Sequence, residues 1–240
     1  MTSTAAPSPR IQRIRQAARD MALRGGLQGI TIAEIARRAG VGKGTVYLYW
    51  TTKEDLFADL FAEDFLDALA EVEAAVREDP GLVVPRRLLP LVGRSLDRHP
   101  FVAAVQSSGA GLLGVIATHP AIVQVTRDVG PVAVLARVLP VLREHGVIRS
   151  DLDSTTQVHA TAALLHGLLG LDEQEPVADL LPGSDPQEVL SAACAALLEP
   201  AEVVDPGPAA AAALAEMALA RDAALEGLRG FGLGAGGAHS

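Results

Sequence analysis

The sequence predicts an all-α protein: an N-terminal three-helix head containing a helix-turn-helix, then a C-terminal helical body. Three observations lead there. Apolar residues recur at three- and four-residue spacing along the chain, and no stretch sustains strand-like alternation. Two helix starts are written as capping boxes, Thr31 with Glu34 and the weaker pair Thr52 with Asp55. Prolines then punctuate the body from Pro85 to Pro200 without interrupting its helical spacing.

Taken in order, residues 1–8 are small and polar and are expected to be disordered, with Ser8-Pro9 forming a helix start: serine as cap, proline at the first helical position. The first helix turns Ile11, Ile14, Ala18, Met21 and Ala22 inward and stops at Gly25-Gly26. From Thr31 a second helix carries Ile32, Ile35, Ala36 and Ala39 on one face, and Gly40 supplies the left-handed residue that ends it. A third, short helix is expected from about Lys43 to Tyr49. Two short helices across a glycine turn make a helix-turn-helix, whose second helix fits the DNA major groove. Small residues stand where that helix approaches bases (Gly42, Gly44, Thr45), and Lys43, Thr45, Tyr47 and Tyr49 offer donors to phosphates and base edges. Val46 and Trp50 are expected to point into the head.

The 9–55 segment resembles the DNA-binding head of TetR-type bacterial transcriptional regulators. The resemblance runs from about Ile11 to Phe61 and is most specific from Thr31 to Phe57, through Gly40-Val41, Lys43, Thr45, Tyr47, Tyr49, Lys53 and Leu56-Phe57. It implies that Lys43, Gly44 and Thr45 read bases, with Leu48 a further reader. By the same resemblance Tyr47, Tyr49, Lys53 and Thr31 hold the phosphate backbone, as do Arg10 and Arg13 at the start of the first helix. Gly42, Leu48 and Trp50 depart from the usual serine, polar or aromatic residue, and phenylalanine at those positions. Two glycines in so short a helix cost roughly 1 kcal/mol each relative to alanine.

Charge agrees once it is divided. The chain carries −9 overall, but residues 1–55 hold nine Lys and Arg against four acids, a net +5, leaving −14 for the rest. A basic head on an acidic body is drawn to DNA in one orientation.

Helix 4 opens at Thr52 and carries Phe57, Phe61, Phe65, Leu69, Val72 and Val76, a stripe wide enough to touch both head and body. Beyond it, helices are expected at about 86–98, 100–108, 111–118, 120–144 (bent by its prolines), 154–171 and 186–199. These belong to a ligand-binding and dimerisation domain at 56–200. The helices at 154–171 and 186–199 are apolar on several sides and need a partner beyond their own chain or a deep core. The resemblance implies a homodimer through them. Residues 201–240 form an addition, an alanine-rich helix from Pro208 to about Arg229 followed by a flexible glycine-rich tail.

Of eight aromatics, six fall between Tyr47 and Phe65. A body pocket is therefore expected to be walled by Leu, Val, Ile and Ala. Phe101, Gln106, Gln124, His159 and His166 are its candidate contacts, with Ser107 and Thr161 as further polar points. Such a pocket takes an aliphatic or neutral small-molecule effector rather than a flat cation, which aromatic and acidic side chains hold.

Other classes are weaker. Gly109-Ala-Gly-Leu-Leu-Gly114 has the spacing of a dinucleotide fingerprint, but that motif demands a βαβ unit and the downstream segments are helical. The histidines lack metal-site spacing, and no nucleophile–base set stands out, so neither metal, cofactor nor catalysis is expected. One cysteine, Cys194, excludes an internal disulfide. With no membrane-length apolar run and no signal-peptide core, the expected location is the cytoplasm. The expected function is a dimeric repressor of a near-palindromic operator. A helical-body enzyme or cofactor-binding protein built on the 109–114 motif is the alternative, as is an activator of the same type.

Overall fold

The computed structural model describes residues 8–26, 29–99, 101–102, 118–171, 183, 185–202 and 204–233, and among these every regular element is helical. The expectations for residues 1–7, for helices at 103–108 and 111–117, for Gly109–Gly114 and for the tail after residue 233 lie outside the described residues.

The head is α1 (Pro9–Gly25), α2 (Ile32–Ala39) and α3 (Lys43–Tyr47). Ser8 caps α1 by accepting from the Ile11 N–H, and Pro9 occupies its first turn. The Thr31–Glu34 capping box is complete on α2, and Gly40 closes that helix at φ 66°, a conformation that favours glycine. Ile14, Ala18, Ile35, Ala36, Val46 and Trp50 are buried together as the head's share of the core.

The long α4 (Lys53–Glu78) starts from the second capping box and spans roughly 39 Å. Its apolar stripe is almost wholly buried, from Leu56 and Phe57 through Phe61 and Phe65 to Val76. A 3-10 turn at Pro80–Val83 leads into α5 (Pro85–Asp97). There follow α6 (Pro120–Val129), α7 (Pro131–Glu144), α8 (Ser154–Leu171), α9 (Pro186–Leu198) and α10 (Gly207–Gly230). In the body, α9 packs on α5, α8 lies between α7 and α9, and α10 crosses α6, α7 and α4.

One expectation needs correcting. The helix expected at 120–144 is two helices broken at Gly130-Pro131, because proline disfavours helical backbone in the residue before it. Gly130 adopts ψ 150°, and a Cβ there would lie 2.2 Å from the Thr126 carbonyl oxygen. Pro90 and Pro140, by contrast, are accommodated inside α5 and α7. The helix expected from Pro208 to about Arg229 is present as α10, and it packs on its own chain's body. α10 buries Ala209, Ala210, Ala213, Met217, Ala220, Ala224 and Leu228 in the common core.

Candidate nucleic-acid interface and ligand cavity

The turn of the helix-turn-helix places a compact set of side chains at the surface. Lys43, Gly44, Tyr47 and Leu48 are exposed, while Thr45, Tyr49 and Lys53 are half-buried. Lys43 Nζ lies 5.6 Å from the centroid of the Tyr47 ring, a cation–π pair that sets these two donors side by side. Leu48 is 69% exposed, the highest value among the exposed large apolar side chains of the described residues. Tyr49 packs on Trp50 at a centroid distance of 5.7 Å. The helix proper ends at Tyr47, two residues earlier than expected, although Leu48 and Trp50 still donate to the Gly44 and Val46 carbonyls. Gly42 offers α3 no side-chain cap. Thr31, expected to face phosphate, spends its hydroxyl on the α2 cap. That hydroxyl, first, and the Thr31 N–H hold the exposed Glu34 carboxyl below the usual range.

Behind this surface a polar clamp ties the head to α4, and the sequence reading missed it. Asp59, 3% exposed, accepts from Arg15 Nε at 3.1 Å and Nη2 at 2.5 Å, and from Trp50 Nε1 at 3.1 Å. Arg15 and Arg19 also reach Glu63 at 3.1 and 3.3 Å. Asp64 accepts from Arg19 and from the Phe101 N–H, the latter at 3.1 Å. Phe101 in turn lies against Phe57 and beneath the Arg19 guanidinium. Burial, more than the arginines opposing it, pushes the Glu63 carboxyl up. The signal lay in α4 itself: Asp59 and Asp64 interrupt an apolar stripe, and a buried charge demands a partner. The division at residue 55 thus overstated the cationic surface, since Arg15 and Arg19 face carboxylates beyond it.

A second link joins head and body at the N-terminus of α4. His119 caps α6 by accepting the Ala121 N–H at Nδ1, 3.2 Å. The proton is thereby assigned to Nε2, which donates to Asp55 Oδ1 at 3.1 Å.

The body holds a partly open apolar pocket with a free volume of about 50 Å³, walled by α4 (Phe65, Ala68, Leu69, Val72), α5, the α6–α7 junction, α7 and Met217 of α10. Among the described residues Leu and Val dominate the lining as expected, no isoleucine takes part, Phe65 adds an aromatic ring, and Ser95 is the polar lining residue. The expected polar contacts are not brought here. His159 and His166 lie on the exposed face of α8, and Gln124 pairs with Asp128 on α6. Phe101 belongs to the clamp, and Gln106 and Ser107 lie outside the described residues. Thr161 is buried, with its hydroxyl donated to the Gln157 carbonyl. Helical periodicity fixed which faces are apolar, but not which helices wall the pocket.

Residues 14–60 match the profile described as bacterial regulatory proteins, tetR family. That match spans most of the head and the first turns of α4. The fatty acid metabolism regulator protein of Bacillus subtilis is 32% identical over 91 residues, 35% of this chain and 47% of that protein. An uncharacterized HTH-type transcriptional regulator of Mycobacterium tuberculosis is 40% identical over 60 residues, 25% of this chain and 32% of its own length. The matched stretches thus span half or less of these relatives. Over a longer range, the fold resembles that of the fatty acid degradation regulator FadR from Bacillus halodurans. That likeness has a TM-score of 0.56 and 23% identity, covering 80% of this chain and 95% of that one. The tetR match takes in α2, α3, Arg15 and Arg19 of α1 and Asp59 of α4, and ends before Glu63 and Asp64. Among the described residues no group of His, Cys, Asp and Glu is arranged to hold a metal, and no helix is long and apolar enough to cross a membrane.

Proposed function

We propose that the chain is a sequence-specific DNA-binding transcriptional regulator, a homodimeric repressor that a small, largely apolar effector releases from a near-palindromic operator. The observation that carries this reading is the exposed Lys43–Tyr47–Leu48 surface on a helix-turn-helix whose supporting helix, α4, also walls the apolar cavity. Lys43, Gly44, Thr45 and Leu48 read bases, Leu48 by apolar contact with a thymine methyl. Tyr47, Tyr49 and Lys53 hold phosphates. Two heads enter successive major grooves, roughly 34–36 Å apart or slightly more.

The dimer forms through α8 and α9. In the single chain these helices leave Val158, Leu164, Val189 and Leu197 partly or fully uncovered, and helices apolar on several sides call for a partner. Effector binding favours a second arrangement of α4 and moves the paired heads out of register. Asp59 in the clamp and Phe65 in the cavity are six residues apart on that helix, roughly 9 Å. An aliphatic effector also agrees with the Bacillus subtilis relative being a fatty acid metabolism regulator protein.

The test is binding of the purified protein to its own upstream DNA, titrated with salt, beside the Lys43→Ala/Tyr47→Ala double variant. Tight binding lost in that variant, with a log–log salt slope implying several phosphates, is expected. Salt-insensitive binding identical in both proteins would overturn the proposal. In the same assay Lys53→Ala should weaken all sequences about equally and lower the slope, whereas Thr45→Ala should change which bases are preferred.

A further inference from the structure

The pocket's free volume of about 50 Å³ is far below the roughly 150 Å³ that holds a benzene-sized molecule, so an effector is buried there only if part of the wall gives way. The walls differ in how readily they can do so. α4 and α5 are set in the core by large side chains, among them Phe61, Phe65, Leu88 and Leu89. α10 is set there mainly by alanines, and it sends one long side chain to the cavity, Met217. Methionine is unbranched, with rotatable bonds that let it refold into an irregular space or leave it. One turn further along α10, Arg221 pairs with Glu73, whose side chain is 1% exposed. That pair fixes the register in which Met217 meets the cavity.

We propose that Met217 is the adjustable plug of the effector cavity and sets how large an aliphatic ligand the protein accepts. The inference rests on the effector reading above. The ligand displaces the Met217 side chain and occupies its place in the pocket, whose lining includes Leu69, Val72 and Val134. The buried part of such a ligand is neutral: among the described residues Ser95 is the one polar lining residue, and its hydroxyl is already within 3.0 Å of the Ala68 carbonyl and of Glu71. Arg221 acts as a positioning residue through its pair with Glu73.

The test uses linear primary alcohols from hexanol to dodecanol and the full chain, with affinity read by calorimetry. Met217→Ala removes three heavy atoms from the wall. It should improve dodecanol binding relative to hexanol by about tenfold or more, as three buried methylene equivalents imply. Met217→Phe should shift the preference the other way. A parallel measurement needs no variant. The protein has three methionines, Met1, Met21 and Met217, so ¹³C-methyl labelling gives three signals. The Met217 methyl should move on titration with the longer alcohols while that of Met21, in the head, stays in place. Alcohols that bind with the same size preference in all variants, leaving the Met217 methyl unmoved, would overturn the plug and leave the effector cavity standing. Binding by no variant to any alcohol, with all three methyls still, would overturn both.

Discussion

At the residue scale, the least expected role belongs to Asp59. A carboxylate in the apolar stripe of α4 looks like a defect until its three donors from Arg15 and Trp50 are counted. Trp50 stands where the resembled family has phenylalanine, and its indole N–H supplies one of those donors. Removing one partner of a buried ion pair strands the other. Asp59→Asn should therefore destabilise the fold by about 3 kcal/mol in denaturant titration. A loss under about 1 kcal/mol would reduce the clamp to a surface decoration. Cys194 is the opposite case. Burial, with Glu199 adding, pushes its thiol up to about 12, so it serves as the small apolar residue its sequence context implied.

At the element scale, the capping boxes, the Gly40 turn and the start of α1 were legible because the chemistry of a helix end lies within four residues. The break between α6 and α7 was read only as a bend, although Gly130-Pro131 contains the reason for a full stop. Gly130→Ala places a Cβ against the Thr126 carbonyl. It should cost about 2 kcal/mol or more and lower the thermal midpoint. An unchanged midpoint would show that the junction can re-form with a side chain present. α10 was legible as a helix but its buried face was not: the thin stripe of Leu214, Met217, Leu225 and Leu228 does not reveal how closely alanines let helices approach.

At the scale of the whole molecule, opposing ionisations shape the response to pH. Glu34, Glu71 and Asp79 are held below their usual range, so their contribution to stability is present above it and lost as pH falls. Glu63 and Asp67 run the other way. Burial raises both, so the folded state favours their protonated forms, and stability falls as pH rises from the ordinary carboxylate range, around 4, upward. Glu63→Gln keeps the acceptor while removing the titration. In melting curves recorded across that window, it should lessen the loss of stability with rising pH. A melting profile parallel to the parent's would exclude Glu63 as a source of that slope.

The sequence by itself determined the helical class, the position of the helix-turn-helix, its surface candidates and the apolar faces of the body. Those features are set by local spacing, capping and charge, which a linear pattern records. Only the tertiary structure decided that Arg15 and Arg19 serve α4 rather than the surface, and that α10 completes the cavity wall. It also decided that His159 and His166 stand apart from that cavity. Each of these depends on which faces meet across long sequence separations, as in the pairing of Arg15 with Asp59 and of Arg221 with Glu73. Periodicity says that a face is buried, but the packing chooses its partner.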